Sequence, residues 1–380
     1  MSGAYVYFDQ GPLAGGTLFE APRRVIRAWQ PDEVPAALAA MHAAHEAGQW
    51  LAGMASYELG YLYTAKLRDL MPEGRDTPLL EFGVFDAPRP GDTWAAQARA
   101  LAPRARFGEM VPAWQPQDYA AAFDRLHAYI GAGDIYQANL TFPIHMRADG
   151  PARGLYAALT AAQPVPHGAC LDLGGPVLLS RSPELFFRVR GGVIETRPMK
   201  GTQPRGATPK ADADAIAFLA ADEKNRAENL MIVDLLRNDI SRVCRPGTVK
   251  VPELFKIETY ATVHQMTSLV RGELVGRVPL ADLFEALFPC GSITGAPKIR
   301  AMQIIRELEP APRGAYCGAM GWVAPGGDMA FNVAIRTLTL LPGGMARLNV
   351  GGGVVWDSTA ETEYEEALWK ARYAQRPQAA

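Results

Sequence analysis

Cysteine is scarce and scattered in this chain. Four residues (Cys170, Cys244, Cys290 and Cys317) occur among 380, with no C-x-x-C pair. That pattern argues against both a disulfide framework and a zinc site, and it fits a reducing compartment. Excess charge of one sign is missing too. The 38 Lys and Arg are balanced by 40 Asp and Glu for a formal net charge of -2, and the lack of a basic stripe argues against nucleic acid as a partner. No apolar run has the length to span a bilayer, and Met1-Ser2-Gly3-Ala4 does not begin the charged-then-apolar pattern of a signal peptide. The expectation is a cytoplasmic protein that does not engage a membrane. What is present, 48% hydrophobic and 21% charged residues, is the profile of an ordinary globular protein able to bury a large core.

Read in order, Tyr5–Phe8 and Arg24–Trp29 are strand patterns, and Pro31-Asp32-Glu33 opens a helix carrying Val34, Leu38, Met41 and His45 at helical spacing. The apolar passage from Trp50 to Tyr63 reads as a buried strand, and Leu79–Phe85 as another. Proline and alanine then break the periodicity from Pro88 to about Pro116, which suggests an N-terminal lobe over residues 1–112 and a second lobe over 113–375. The second lobe opens with an amphipathic helix, Asp118–Ile130. A strand follows whose alternation sets Gln137, Asn139 and Thr141 on one face, lining either a cavity or a solvated surface.

Leu185–Val189, Gly191-Gly192 and Val193–Thr196 read as a hairpin, with Glu184 at one end and Lys200 at the other. Its ends meet, so the two side chains form either a cross-strand ion pair or an acid and a nucleophile facing one cavity. The longest helical pattern, Ala211–Asn238, is interrupted near Asp222 and carries Asn225 and Glu228 on one face. Later, Gly291-Ser292-Ile293-Thr294-Gly295-Ala296-Pro297-Lys298 leads into a helix whose free N–H groups attract anions, although the spacing is not that of a Walker A loop. Tyr316–Val323 and Met329–Leu340 are strand patterns. The second holds Arg336, which needs an acidic partner from the protein or a ligand.

Gly351-Gly352-Gly353 sits inside a further strand pattern and marks a bulge or a close backbone approach. The final helix opens on Ser358-Thr359-Ala360-Glu361, a capping box, and carries Glu363 and Glu366 on one face. Glu366 and Lys370 are spaced for a solvated i, i+4 salt bridge. Carboxylates on two helices can instead share a Mg²⁺ that keeps several waters.

Together, Gly133–Leu140, Ser180–Glu184, Arg197–Thr202, Arg226–Leu235, Gly291–Lys298 and Gly351–Val355 resemble the motifs of the chorismate-utilising enzymes. The resemblance is dense from Asp118 to Ala371. It implies an α/β fold of the α+β type, in which helices surround two large, mainly antiparallel β-sheets, with chorismate and Mg²⁺ between them. Carried over by position, Glu184 matches the family's catalytic acid and base, and Glu228 and Glu366 its direct magnesium ligands. Glu363 matches a ligand acting through water, and Asn225 takes a position that is acidic in relatives.

The same resemblance makes Arg336 and Tyr316 holders of a substrate carboxylate, beside backbone N–H groups of Ser292 to Thr294 and of Gly351, Gly352 and Gly353. His264 matches a pocket histidine, and Lys298 a basic residue near the site. Gln137 stands where water-adding members have a lysine base. Lys200 stands where anthranilate-forming members have alanine, which points to the aminodeoxychorismate branch of para-aminobenzoate and folate formation, with anthranilate synthesis as the alternative. That branch implies chorismate and ammonia as substrates, and ammonia delivered by a glutamine amidotransferase subunit. An ordinary lysine amine, pKa about 10.4, is almost wholly charged at neutral pH. A nucleophilic Lys200 therefore needs desolvation or a nearby cation such as Mg²⁺, Arg197 or Arg205.

Overall fold

The strands gather into one sheet of eleven and one of ten among the described residues, every pairing antiparallel. In the computed structural model, which describes residues 3–260 and 263–375, the expected two-sheet α+β architecture is present. Apolar side chains from both sheets, including Val6, Phe19, Leu171, Met54, Phe85 and Met320, form one core between them. Helices cover the outer faces. Tyr119, Leu155, Ile304 and Ala367 pack on the first sheet, and Met41, Ile232 and Phe284 on the second. The order is helix, sheet, sheet, helix, and each sheet buries both faces, as its nearly continuous apolar strands require. Among the described residues no helix is long and apolar enough to cross a membrane.

Residues 1–112 place their strands inside both sheets. Tyr5–Phe8 pairs with His167–Asp172 in the first, and Trp50–Ala55 pairs with Ala319–Val323 in the second. The passage from Pro88 to Pro116 contains a helix, Asp92–Leu101, whose Trp94 stacks on Tyr7 with ring centroids 4.1 Å apart.

Three sequence expectations divide further. The Trp50–Tyr63 segment is a strand only to Ala55 and turns into a 3-10 helix, Tyr57–Tyr63. The turn lets Glu58 accept hydrogen bonds from the backbone N–H groups of Arg313 and Gly314, at 2.7 and 3.0 Å. The strand expected over Met329–Leu340 is two, Met329–Val333 and Thr337–Leu341. It breaks at Arg336, which adopts φ 51°, a conformation that closes a strand and turns its side chain out of the pleat. The long helical pattern is two helices, Pro209–Ala221 and Glu223–Ser241. The break falls at Asp222, whose side chain caps the second helix by accepting from Asn225 N.

A buried ion pair ties these layers together. Arg313 and Glu309 lie 2.7 Å apart with almost no exposure. Arg313 also donates to the carbonyls of Ile293 and Asn139, at 3.1 and 2.8 Å, and Glu309 accepts from Thr141 N at 2.8 Å. Removing one member strands the other charge in the interior. Arg313→Met should therefore lower unfolding free energy by roughly 3–5 kcal/mol in urea denaturation. A loss below about 1 kcal/mol would mean that water or another side chain replaces the guanidinium.

Candidate active site

The hairpin forms as Leu185–Arg190 and Val193–Arg197, followed by the strand Met199–Pro204. Leu185 pairs with Arg197, so the chain before one end lies near the chain after the other. Ser182 fixes the acid's end. Its hydroxyl donates to Val333 O at 2.6 Å and accepts from Glu184 N at 3.2 Å. The Glu184 carboxyl is buried and its Oε1 has no hydrogen-bond partner. Burial pushes its pKa up to about 7, against the opposing pull of the Ser292 hydroxyl and the charges of Lys200 and Arg336.

Lys200 approaches the same space from the other side. A methyl group built on Gly353 would lie 2.7 Å from Gln137 Nε2 and 3.1 Å from Lys200 Nζ. Glycine is needed there so that amide and amine can both lie against the strand Met345–Val354. Gln137 is fully buried, and neither its Oε1 nor its Nε2 has a partner. Asn139 Oδ1 is equally bare. Other buried side chains, Tyr57, Trp94 and Tyr119 among them, also have an atom without a partner, but Gln137, Asn139 and Glu184 lie in one region, which suits that region to a polar ligand. The sequence put Asn139 on the polar face of its strand without distinguishing it from an ordinary surface residue.

Arg336 is half-buried in the same region. Burial depresses its pKa below the ordinary arginine value, while Tyr373 and Glu184 favour its charge. Tyr316 is buried, and its hydroxyl is held far above the usual tyrosine value by burial and by the Cys317 thiol. Ser292 lies in the turn Gly291–Ile293 with its hydroxyl 3.2 Å from Cys290 Sγ.

Four expected residues have structural partners. The Thr294 hydroxyl donates to Cys290 O and Gly291 O, folding the turn on itself. Lys298 donates to Asp239 Oδ2 at 2.7 Å and Leu287 O at 2.9 Å. His264 is buried with both ring nitrogens engaged, Nδ1 by the Thr259 hydroxyl and Nε2 by Asp212 Oδ1. The Asn225 amide donates to Asp222 Oδ2 at 2.8 Å, and its side chain packs against Gly201. The two arginines considered as neighbours for Lys200 are committed as well, Arg197 to Glu253 and Glu258 and Arg205 to Asp212.

The carboxylate face lies on the helix Ala360–Ala371. Thr359 caps it, accepting from Thr362 N, and the neighbouring Ser358 hydroxyl donates instead to Glu363 Oε1 at 2.7 Å. Burial, and then the charge of Glu366, raise the Glu363 pKa against that hydrogen bond. Partial burial opposes ionisation of Glu366, whose side chain is still 55% exposed, but Lys370, 2.8 Å away, together with Lys200 and Lys224 holds its pKa below the ordinary value. Lys370 also donates to Gly351 O at 3.0 Å. Glu228 lies half-buried on the helix Glu223–Ser241.

Among the described residues no three His, Cys, Asp or Glu side chains are gathered as tightly as a bound metal would hold them. The donor chemistry nevertheless fits a hard cation, because an ammonium already rests between a carboxylate and a backbone carbonyl, with Glu363 alongside.

Residues 4–376 match the model of the chorismate binding enzymes. The chain belongs to that family. It is 43% identical to an aminodeoxychorismate synthase component 1 from Klebsiella aerogenes, over 76% of this chain and 65% of that protein. It is 40% identical to an anthranilate synthase component 1 from Cereibacter sphaeroides, over 77% and 58% of the two chains. The alignments thus span less than two thirds of these relatives' lengths. The fold is also that of anthranilate synthase component I from Streptococcus pneumoniae, with a TM-score of 0.81, 24% identity, and coverage of 99% of this chain and 93% of that one. Against this chorismate-binding background, Glu184, Gln137, Lys200 and the three glycines lie in one region of the fold, with Arg336 beside them.

The burial of Glu184 makes the free protein less stable in alkali. Its folded pKa of about 7 exceeds the ordinary 4.5, so stability is retained below pH 4.5 and lost as pH rises through 7. Glu184→Gln should be more stable than the parent at pH 8 by on the order of 3 kcal/mol, and the gap should close by about pH 4.5. Parallel stability curves from pH 4 to 8 would show that the carboxyl ionises without penalty.

Proposed function

We propose that this protein aminates chorismate at C4 to give 4-amino-4-deoxychorismate, the precursor of para-aminobenzoate in folate synthesis. The observation that carries the reading is the approach of the Lys200 amine and the Gln137 amide to one point on the glycine strand, with the buried, protonatable Glu184 near Lys200. The naming of several relatives as aminodeoxychorismate synthase component 1 supports it.

Hydroxide is a poor leaving group, and an acid with a pKa near 7 is matched to protonating it at neutral pH. Glu184 gives its proton to the C4 hydroxyl. The C4–O bond breaks as both ring double bonds move over by one position, C1=C2 to C1=C6 and C5=C6 to C4=C5, and the lone pair of the Lys200 nitrogen bonds to C2, with water leaving. Ammonia then attacks C4, both double bonds shift back, the C2–N bond to Lys200 breaks as the nitrogen recovers its electron pair, and the new C4 ammonium returns a proton to the Glu184 carboxylate. Two substitutions replace one difficult displacement. With Arg197 and Arg205 neutralised by carboxylates, confinement against Gly353 and Gln137 is what keeps the Lys200 amine directed at the ring. Arg336 and the turn around Ser292 hold substrate carboxylate.

Glu363 and Glu366, with Glu228 on the helix Glu223–Ser241, would hold Mg²⁺, which when bound neutralises a ring carboxylate. For the ammonia, the naming of relatives as component 1 supports a glutamine amidotransferase subunit as the source.

Incubation with chorismate, Mg²⁺ and ammonium should yield aminodeoxychorismate by mass analysis, and Lys200→Ala should abolish it. Unchanged turnover of that variant would remove the covalent step, and a fluorescent, aromatic product would assign the protein to anthranilate synthesis. Glu366→Gln should shift the magnesium dependence of the rate to much higher concentrations. A superimposable titration would leave Glu366 as a surface salt-bridge residue.

A further inference from the structure

The carboxylate face of the site already holds a cation supplied by the protein itself. Lys370 Nζ lies 2.8 Å from Glu366 Oε1 and donates to the Gly351 carbonyl at 3.0 Å. A methyl group built on Gly352 would meet Glu363 Oε2 at 2.7 Å and Lys370 Nζ at 3.5 Å, so the ammonium and the half-buried Glu363 share one patch of the glycine strand. An exposed i, i+4 pair on a helix normally stays in water and touches nothing else. This ammonium instead spends a hydrogen bond on a sheet carbonyl, with its side chain under a third exposed. Lys200 and Lys224 also bear on Glu366, but of the three only Lys370 is hydrogen-bonded to it.

We propose that Lys370 is a built-in competitor for the divalent cation, occupying oxygen donors of the site in the free protein and leaving them when the metal enters. The proposal rests on reading Glu363 and Glu366 as magnesium ligands. An ammonium satisfies a carboxylate and a carbonyl with two of its three N–H donors, but it carries half the charge of a divalent ion and has at most one donor left for a further ligand, where Mg²⁺ keeps several positions. A divalent ion at Glu366 would face a unit positive charge about 3 Å from the carboxylate it needs, so the ammonium has to swing away first. Metal affinity in the absence of substrate is thereby held down. The site is then not locked in advance by an ion whose waters a substrate carboxylate would have to displace.

The test is calorimetric titration of Mg²⁺ into the intact protein without chorismate, repeated with Mn²⁺ by following the free ion's paramagnetic resonance. Lys370→Met should bind both ions at least tenfold more tightly than the parent, and Lys370→Arg, which keeps the charge, should bind no better. Glu366→Gln should weaken binding in either background. Lys370→Gln repeats the experiment with a polar side chain if the methionine variant melts early. If Lys370→Met and Lys370→Gln bind no more tightly while Glu366→Gln still weakens binding, the metal reading stands and the competitor role is overturned. If Glu366→Gln leaves the titrations unchanged, or neither parent nor Lys370 variants take up metal, the metal reading fails and the competitor role fails with it.

Discussion

The buried pair of Arg313 and Glu309 is the constraint on which the site's geometry depends. A charge in the interior is tolerable only when nearly every donor has an acceptor. Arg313 meets that demand by binding the carbonyls of Ile293 and Asn139 as well as Glu309, and Glu309 by taking the N–H of Thr141. Those groups belong to the turn that carries Ser292 and to the strand that carries Gln137. The need to satisfy one guanidinium therefore fixes the spacing between two sides of the site.

With those sides held, the site keeps polar groups unsatisfied. Gln137, Asn139 and Glu184 each present a buried atom with no partner, which a protein interior otherwise avoids. The cost is borne by the two apolar cores and the core between the sheets. It leaves a surface with several hydrogen-bonding atoms open to a ligand. The same burial that leaves Glu184 without a partner gives it a pKa near neutrality, so a single physical cause makes it both a site marker and an acid.

Much of this was legible in the sequence, and the limits have physical reasons. The hairpin from Leu185 to Arg197, the interruption at Asp222 and the glycine strand are local patterns, readable from turn residues and periodicity. The end of the strand at Ala55 was not readable, because the hydrogen bonds of Glu58 are to residues some 255 positions away. Nor was the break at Arg336, since an apolar run gives no sign that one residue within it adopts a left-handed backbone. The partners of Lys298 and His264, namely Asp239 and Asp212, lie 59 and 52 positions distant. The resemblance to the family singled out both residues but could not reveal that they were already engaged. Lys370 was visible as half of a helical pair, while its bond to Gly351 exists only once helix and sheet have packed.

The pairing of Trp50–Ala55 with Ala319–Val323 has a consequence for how the chain is made. A ribosome adding about 5–20 residues per second leaves the early strand waiting for roughly 10–50 s before its neighbour emerges. In that interval Leu51, Ala52 and Met54, all buried in the finished protein, have an open edge and no cover on one side. Such an edge invites pairing with other nascent chains. The interleaved topology that leaves the folded molecule without a seam thus concentrates its risk of aggregation in the interval between the two halves of its own synthesis.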